Sequence, residues 1–386
     1  MIRSTDIYKK LSLFEKWVLV VVFLTNMSQL PYLVSLGITQ YLSYPVWFLT
    51  FGFCLLTALY RRKVIIHRTI TINVIIFIFI ILVQAVNYLL FQNNYFRSSM
   101  FTYAMFSLAI MLAGYVLGEY LSEDSIKIIA IAFVVSTIIV ELNVYYESLR
   151  SINAFSQRMF AYASKNSVSL LISTAIIILI SYFKPEKVLQ RAIYFVFIIA
   201  SLFILLMLKS RASILGLIVA IFLFMLSKAS NKKTKRRLWI AVTVIIVLLL
   251  FSGRFYQILV GNVFLANSNI SDLNDVSSGR ISLFLQYPSL IKGHWFEGIG
   301  PYYYECAPLS ALLQFGLICG LAYIFLMFHP LIYFGRMKTQ TESFHMIFLI
   351  AVIYSINTLF EGLAPFGPGA KCFFLWFLWG IILRQS

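Results

Sequence analysis

The chain has 386 residues, of which 61% are hydrophobic and only 12% are charged. Soluble domains are about half apolar and about a quarter charged, so this composition excludes an ordinary soluble domain and predicts an all-α integral membrane protein. The net charge of +17 would suggest nucleic-acid binding in a soluble protein. Here the basic residues lie in short segments between apolar runs, which is typical of topology signals, so we expect no nucleic-acid partner.

Apolar runs that are long enough to cross a bilayer recur along the whole chain, since a spanning helix needs about 20 such residues. The sequence predicts a single polytopic domain, 1–386, with about twelve transmembrane helices embedded in the lipid bilayer. In chain order the predicted spans are 17–36, 41–60, 69–90, 100–120, 126–145, 167–183, 192–208, 211–227, 238–252, 309–334, 344–361 and 372–384.

The distribution of Lys and Arg predicts the orientation of these spans, because cytoplasmic segments carry an excess of both. Placing both termini in the cytoplasm puts 21 of the 31 Lys and Arg residues inside. The same arrangement makes 253–308 a long extracytoplasmic loop before the tenth helix. Within it the apolar and aromatic stretch Ile281–Ile291 is predicted to form an amphipathic helix on the membrane.

Five cations on the predicted outer side are informative: two lie just before the span 167–183, two fill the short turn before 211–227, and one follows Gly279 in the long loop. They are Arg158, Lys165, Lys209, Arg211 and Arg280. Arginine binds phosphate through a planar bidentate fork, and several cations together can neutralise a diphosphate without a metal ion. The alternative is that these side chains extend to lipid headgroups.

The predicted outer side also carries a few groups that can exchange a proton. Glu305 lies among tyrosines where the chain re-enters the membrane, so it is a candidate base or simply a partner for a nearby cation. Glu361 ends an apolar span and is either functional or a helix terminator. His294 is the only histidine predicted outside, and a lone loop histidine is usually solvated. No group of these residues has metal-ligand spacing, so we expect no metal and no cofactor.

Three places in the chain resemble the bacterial O-antigen polymerase and ligase superfamily. Arg158 to Asn166 is similar to the Arg and Asn before its sixth helix. Ser210-Arg211-Ala212-Ser213 is similar to the Ser-Arg segment that opens its eighth helix. The closing module of the superfamily has an Arg, a Gly-x-Gly and a helix with two glycines that are four residues apart. The corresponding segments here are Gly279-Arg280, Gly298-Ile299-Gly300 and Gln314–Gly320.

One departure from the family pattern distinguishes two activities. The ligases of this superfamily carry a histidine about 11 residues before the first glycine of the helical pair. Counting back from Gly316 reaches Glu305 in this sequence. The resemblance therefore favours a repeat-unit polymerase, with Glu305 in the position of the base.

The resemblance implies a glycosyltransferase of the bacterial plasma (inner) membrane that builds O-antigen, capsule or exopolysaccharide. Both the donor glycan and the acceptor repeat unit would be linked to undecaprenyl diphosphate, and a chain-length regulator protein is an implied partner. The acceptor hydroxyl would attack the anomeric carbon with inversion. Arg211 and Arg280 would stabilise the leaving diphosphate and Glu305 would take the proton. The implied substrate-binding residues are Arg158, Asn166, Lys209, Tyr303 and His294.

Two other activities remain as alternatives at the level of sequence. An O-antigen ligase of the same superfamily would transfer the glycan to a different acceptor, but the missing histidine counts against it. A lipid-linked oligosaccharide flippase or other transporter would line a central cavity with cations along several helices. Here the cations cluster in the predicted outer turns.

Overall fold

The computed structural model describes residues 12–61, 66–92, 95–150, 164–228, 280–337, 341–362, 364–367 and 369–385. Every regular element in this part of the chain is helical, so the all-α prediction is confirmed. We number the α-helices of these residues in chain order. They are α1 (Leu13–Met27), α2 (Pro31–Ser35), α3 (Thr39–Arg61), α4 (Arg68–Phe91), α5 (Ser99–Gly118), α6 (Glu123–Val144), α7 (Lys165–Tyr182), α8 (Val188–Leu208), α9 (Arg211–Lys228), α10 (Arg280–Ile291), α11 (Ala307–Arg336), α12 (Glu342–Thr358) and α13 (Phe373–Gln385).

These helices match a polytopic membrane protein. Within the described ranges, seven helices are long and apolar enough to cross a membrane, and three shorter apolar helices accompany them. The predicted span 238–252 and the loop segment 253–279 lie outside the described residues, so the count of twelve and the orientation stay predictions. The stretch predicted as a helix at Ile281–Ile291 is helical in α10.

The prediction of one continuous span over 17–36 is wrong. Helix α1 ends at Met27, and the five-residue α2 follows after a break. Leu30 at the break has an extended backbone, with φ −61° and ψ 138°. Its neighbour Pro31 explains this conformation, because the proline ring disfavours helical backbone at the residue before it.

Local sequence signals account for several helix starts. Ser12 and Glu15 form a reciprocal capping box at α1, and Ser122 and Ser125 form one at α6. His67 caps α4 and Ser98 caps α5, each through its side chain. The capped helices enclose a core in which the C-terminal α13 is buried along almost its whole length.

Small residues allow the closest helix contact of this core, between α5 and α13. A Cβ atom added at Gly380 would lie 2.0 Å from the backbone oxygen of Met111, and one added at Gly114 would lie 2.3 Å from that of Phe377. Membrane helices use glycine in this way because no hydrophobic force draws them together in lipid. Helix α13, the shortest of the predicted spans, is therefore an integral part of the bundle.

Polar contacts gather at two ends of the bundle. Helix α7 separates these ends by about 25 Å, at 1.5 Å per residue from Lys165 to Tyr182. The site end contains residues predicted to lie outside, namely Lys165, Asn166, Arg211, Arg280, Glu305, Glu361 and Lys371. The opposite end contains residues predicted to lie inside, namely Glu15, Glu119, Ser125, Lys184, Glu342 and Arg384. The residues that contact one another at each end are thus residues predicted to lie on the same side of the membrane.

Helix α11 is divided by a break at Gly316, which has φ 72° and ψ 179°. The bend is sharp, because a Cβ atom added at Gly320 would lie 2.7 Å from the Cα atom of Leu312. In a straight helix these two residues would be about 12 Å apart along the axis. The segment before the break thus folds back at the site end, and the segment after it runs through the bundle.

Candidate functional site

Arg280 and Glu305 form an ion pair at the centre of the site end. Nε of Arg280 lies 3.1 Å from Oε2 of Glu305, and both side chains are partly exposed. Nη2 of Arg280 donates a hydrogen bond of 3.2 Å to the backbone oxygen of Phe360, whose ring lies 5.8 Å from the guanidinium carbon. Two of the three residues predicted to be catalytic are therefore in direct contact.

Two further cations lie within electrostatic range of this pair. Lys165 interacts with Arg211, Arg280, Glu305 and Glu361, and Arg211 also interacts with Arg280. All three predicted catalytic residues are thus brought together, and Lys165 joins them. Like charges that interact repel one another, so the arrangement favours the binding of an anionic ligand.

Two of the three cations share one feature of their local structure. Lys165 is the first residue of α7 and Arg211 is the first of α9. A cation at a helix N-terminus is unfavourable, because the helix dipole is positive there. The same dipole and the unbonded N–H groups attract anions. Two such ends, together with Arg280, suit a strongly anionic group.

A network of buried polar groups supports these cations. Asn166 donates a hydrogen bond through Nδ2 to Glu361, and its Oδ1 accepts one of 3.2 Å from Ser210. Glu361 also forms an ion pair of 2.7 Å with Lys371. Asn166, predicted to bind substrate, therefore joins the start of α7 to the α8–α9 turn and to the segment between α12 and α13.

The pair of Glu361 and Lys371 was not predicted from the sequence. The sequence left open whether Glu361 is functional or ends a helix. It placed Lys371 only among the cations of the outer side. Their side chains are 12% and 22% exposed, so most of each charge is removed from solvent. Burial lowers the pKa of Lys371, but Glu361 outweighs it and leaves that pKa raised, so the ammonium stays charged.

Lys209 occupies the turn just before Arg211 and differs from the other cations. It ends α8 with left-handed backbone, φ 53° and ψ 33°, and is only 3% exposed. Burial lowers the pKa of Lys209. The predicted contact of Lys209 with substrate stays a prediction.

Tyr303 covers the supporting network from the loop before α11. Its ring would lie 2.8 Å from a Cβ atom added at Gly362, next to Glu361, while the ring itself is largely exposed. Burial, then Glu361 and Glu305, raise the pKa of Tyr303, whereas Lys371 and Arg280 lower it. Tyr303 is therefore next to the site and largely exposed, and its predicted contact with substrate stays a prediction.

His294 belongs to a separate contact. Its Nδ1 lies 2.8 Å from Oε1 of Glu297, and its backbone oxygen accepts a hydrogen bond from Gly298. The described contacts do not bring His294 to the pair of Arg280 and Glu305. Arg158, the remaining predicted substrate-binding residue, lies outside the described residues.

The Gly-x-Gly segment docks against the break in α11. The N–H groups of Ile299 and Gly300 donate to the backbone oxygens of Leu313 and Gln314, at 2.8 Å and 3.2 Å. A Cβ atom added at Gly298 would lie 2.4 Å from the oxygen of Gln314. These glycines therefore position the loop that carries Glu305, which is a structural use of the motif.

Part of the chain matches a known protein family. Residues 195–315 match the protein-family model described as O-antigen ligase. This match supports a relationship to the O-antigen polymerase and ligase superfamily. No curated protein matches the chain. The matched range contains Arg211, Arg280 and Glu305, whereas Glu361 and Lys371 follow it.

The family match supports a general type of function. Members of the O-antigen ligase family are glycosyltransferase-like enzymes that act on lipid-linked glycans in a membrane. Together with the apolar helices, the match identifies a multi-pass membrane protein with a ligase or polymerase type of function. Within the described ranges, no group of three His, Cys, Asp or Glu side chains is arranged to hold a metal ion.

Proposed function

We propose that this protein polymerises repeat units of a surface polysaccharide at the outer face of the bacterial plasma membrane. The donor is a growing glycan on undecaprenyl diphosphate, and the acceptor is a single repeat unit on the same lipid. The observation that carries the proposal is that Lys165, Arg211 and Arg280 interact with one another, and that Lys165 and Arg280 interact with the carboxylate of Glu305.

The charge of this cluster suits a diphosphate. Lys165 interacts with Arg211 and Arg280 and with the acids Glu305 and Glu361, and Lys371 pairs with Glu361. A group of cations of this kind suits a diphosphate diester, in which each phosphate group carries a negative charge. Preorganised cations of this kind stabilise the charge that develops on a leaving diphosphate.

The ion pair between Arg280 and Glu305 suggests the order of donor binding and proton transfer in the reaction. A donor diphosphate competes with Glu305 for the guanidinium of Arg280, because both are anions that accept the same N–H groups. Once displaced, the Glu305 carboxylate accepts the proton of the acceptor hydroxyl. The hydroxyl oxygen then bonds to the anomeric carbon as the bond to the diphosphate oxygen breaks, and undecaprenyl diphosphate leaves.

Two observations bear on the choice between polymerase and ligase. Glu305 stands where the ligases of the superfamily carry histidine, and its contact with Arg280 supports a role for the carboxylate. A ligase remains the second candidate, because the family model that matches residues 195–315 is described as O-antigen ligase.

The test is Arg211→Ala in a host that depends on this protein for its polysaccharide. We expect long chains to disappear while single repeat units are still exported and the protein remains in the membrane. Arg97→Ala is the matched control, since Arg97 is an exposed arginine beside the start of α5. Normal chain lengths in the Arg211 variant would overturn the proposal. Full-length chains that accumulate on the lipid carrier would instead identify a ligase.

A further inference from the structure

A polar cavity of about 270 Å³ lies beside the cation cluster. It is bounded by the break between α1 and α2, the start of α3, α5 and the segment before α13. Thr39, Ser43 and Ser167 contribute hydroxyl groups to its wall, and Tyr44 and Tyr103 contribute phenol rings. All of these residues lie outside the range that matches the O-antigen ligase family.

The lining identifies the chemical class of the ligand. Lys371 is the only charged residue among those that line the cavity, and the other polar groups are hydroxyls and the amide of Gln29. Many neutral donors and acceptors next to aromatic rings suit a polyhydroxylated ring better than an ion or an apolar chain. The volume is just below the roughly 300 Å³ at which pockets for larger ligands begin, so it fits one ring.

We propose that this cavity binds a single sugar residue of the lipid-linked glycan. The inference rests on the proposed function, because it assigns the glycan part of the same substrate. Lys371 connects the two parts of the site, since it lines the cavity and forms the ion pair with Glu361. Ser167 lines the cavity one residue after Asn166, which holds Glu361 from the other side.

Specific features of the sequence build this cavity. The end of α1 is fixed to the start of α7, because Ser164 donates a hydrogen bond of 2.6 Å to Oε1 of Gln29. On the facing wall Gly367 adopts φ +134°, and its N–H donates to Ser107 at 2.8 Å. A Cβ atom at Gly367 would lie 3.6 Å from the Tyr103 ring, so the segment before α13 is held close against α5.

The test compares two ligands of the purified full-length protein. One probe is undecaprenyl diphosphate without sugar, and the other is undecaprenyl diphosphate that carries the native repeat unit. Thr39→Val, Tyr103→Phe and Ser167→Ala each remove one hydroxyl from the wall. We expect each variant to bind the glycan-linked probe about fivefold to tenfold more weakly, as for the loss of one hydrogen bond, and the sugar-free probe unchanged.

Two controls separate a lost contact from a disturbed fold. Thr57→Val removes a hydroxyl from the same helix α3, where Thr57 donates only to the backbone oxygen of Phe53, and should change neither affinity. Thr39→Ser keeps the hydroxyl and should restore the affinity that Thr39→Val loses. Equal weakening of both probes, or weakening of neither, by all three cavity variants would overturn the sugar site.

The outcomes also distinguish the sugar site from the proposed function. A wild-type protein that binds neither probe would overturn the proposed function. A wild-type protein that binds both probes equally would overturn the sugar site alone. In a polymerisation assay, a raised KM for the acceptor would assign the cavity to the acceptor sugar, and a raised KM for the donor to the donor sugar.

Discussion

The two ends of the bundle carry the same kinds of charged residue in different arrangements. At the opposite end Arg384 pairs with Glu119, Lys184 pairs with Glu342 and Lys127 lies 3.8 Å from Asp124. At the site end Lys165, Arg211 and Arg280 interact with one another as well as with Glu305 and Glu361. One-to-one pairing holds helices together, whereas cations that repel one another are stabilised when an anion binds among them.

This difference indicates which end is functional. At the site end Lys165, Arg211 and Arg280 interact with one another, and Glu305 pairs with one of them. Like-charge repulsion of this kind is typical of sites that bind a charged ligand.

The largest effect is expected at Glu305. Glu305→Gln keeps the shape of the side chain but removes the group that accepts a proton, so polymerisation by purified protein should fall by about 10²- to 10⁴-fold. At the opposite end Glu119→Gln should leave the rate within about twofold. Full activity of the Glu305 variant would remove the carboxylate from the mechanism and weaken the comparison of the two ends.

The next largest effect concerns the glycines that shape the site end. A Cβ atom at Gly316 would lie 1.9 Å from the backbone oxygen of Phe296, so Gly316→Ala should displace the Glu305 loop and abolish activity. Gly300 is the matched control, because it also has a positive φ of 84° but nothing within 4 Å. Gly300→Ala should cost only about 1–2 kcal/mol of stability, measured by thermal unfolding in detergent. Equal losses in the two variants would mean that backbone strain, not the close contact, is decisive.

A smaller effect is expected for the buried ion pair beneath the cations. Glu361→Gln or Lys371→Met leaves one charge in a largely buried site and should reduce stability by about 3–5 kcal/mol. The double variant should recover part of that loss, since no lone charge remains. The pair of Lys184 and Glu342 is 68% and 45% exposed, so its removal at the opposite end should cost about 0–1 kcal/mol. Similar losses at both ends would contradict the inferred burial of the Glu361 pair.

The smallest effect is expected for His294. Its side chain contacts Glu297 at the surface and is separate from the cation cluster. His294→Ala should therefore change the polymerisation rate by less than about threefold. A loss as large as that of Glu305→Gln would transfer the role of base to His294 and favour the ligase.

The sequence was informative about elements whose signal is local. Apolar runs predicted the helices because each run is long enough to cross a bilayer by itself. The cations Lys165, Arg211 and Arg280 could be selected because each lies at the boundary of an apolar run. The break after Met27 was also readable, since Pro31 follows it, but the hydropathy of 17–36 concealed it.

Features that depend on distant contacts could not be predicted. Glu361 and Lys371 meet only because the segment between α12 and α13 turns back on itself. The two glycines of α11 were interpreted as a helical pair, yet Gly316 breaks the helix where Phe296 approaches. The polar cavity combines residues from α3, α5 and α7, so no single stretch of sequence carries its pattern.

The most direct test of the account is the affinity of the purified full-length protein for undecaprenyl diphosphate. The account predicts that Arg280→Ala weakens binding by about 10- to 100-fold, as expected for the loss of a charge-assisted hydrogen bond. Arg384→Ala, which removes an arginine from the opposite end, should leave the affinity within about twofold. Equal affinities of the wild-type protein and the Arg280 variant would contradict the claim that the cation cluster binds the diphosphate.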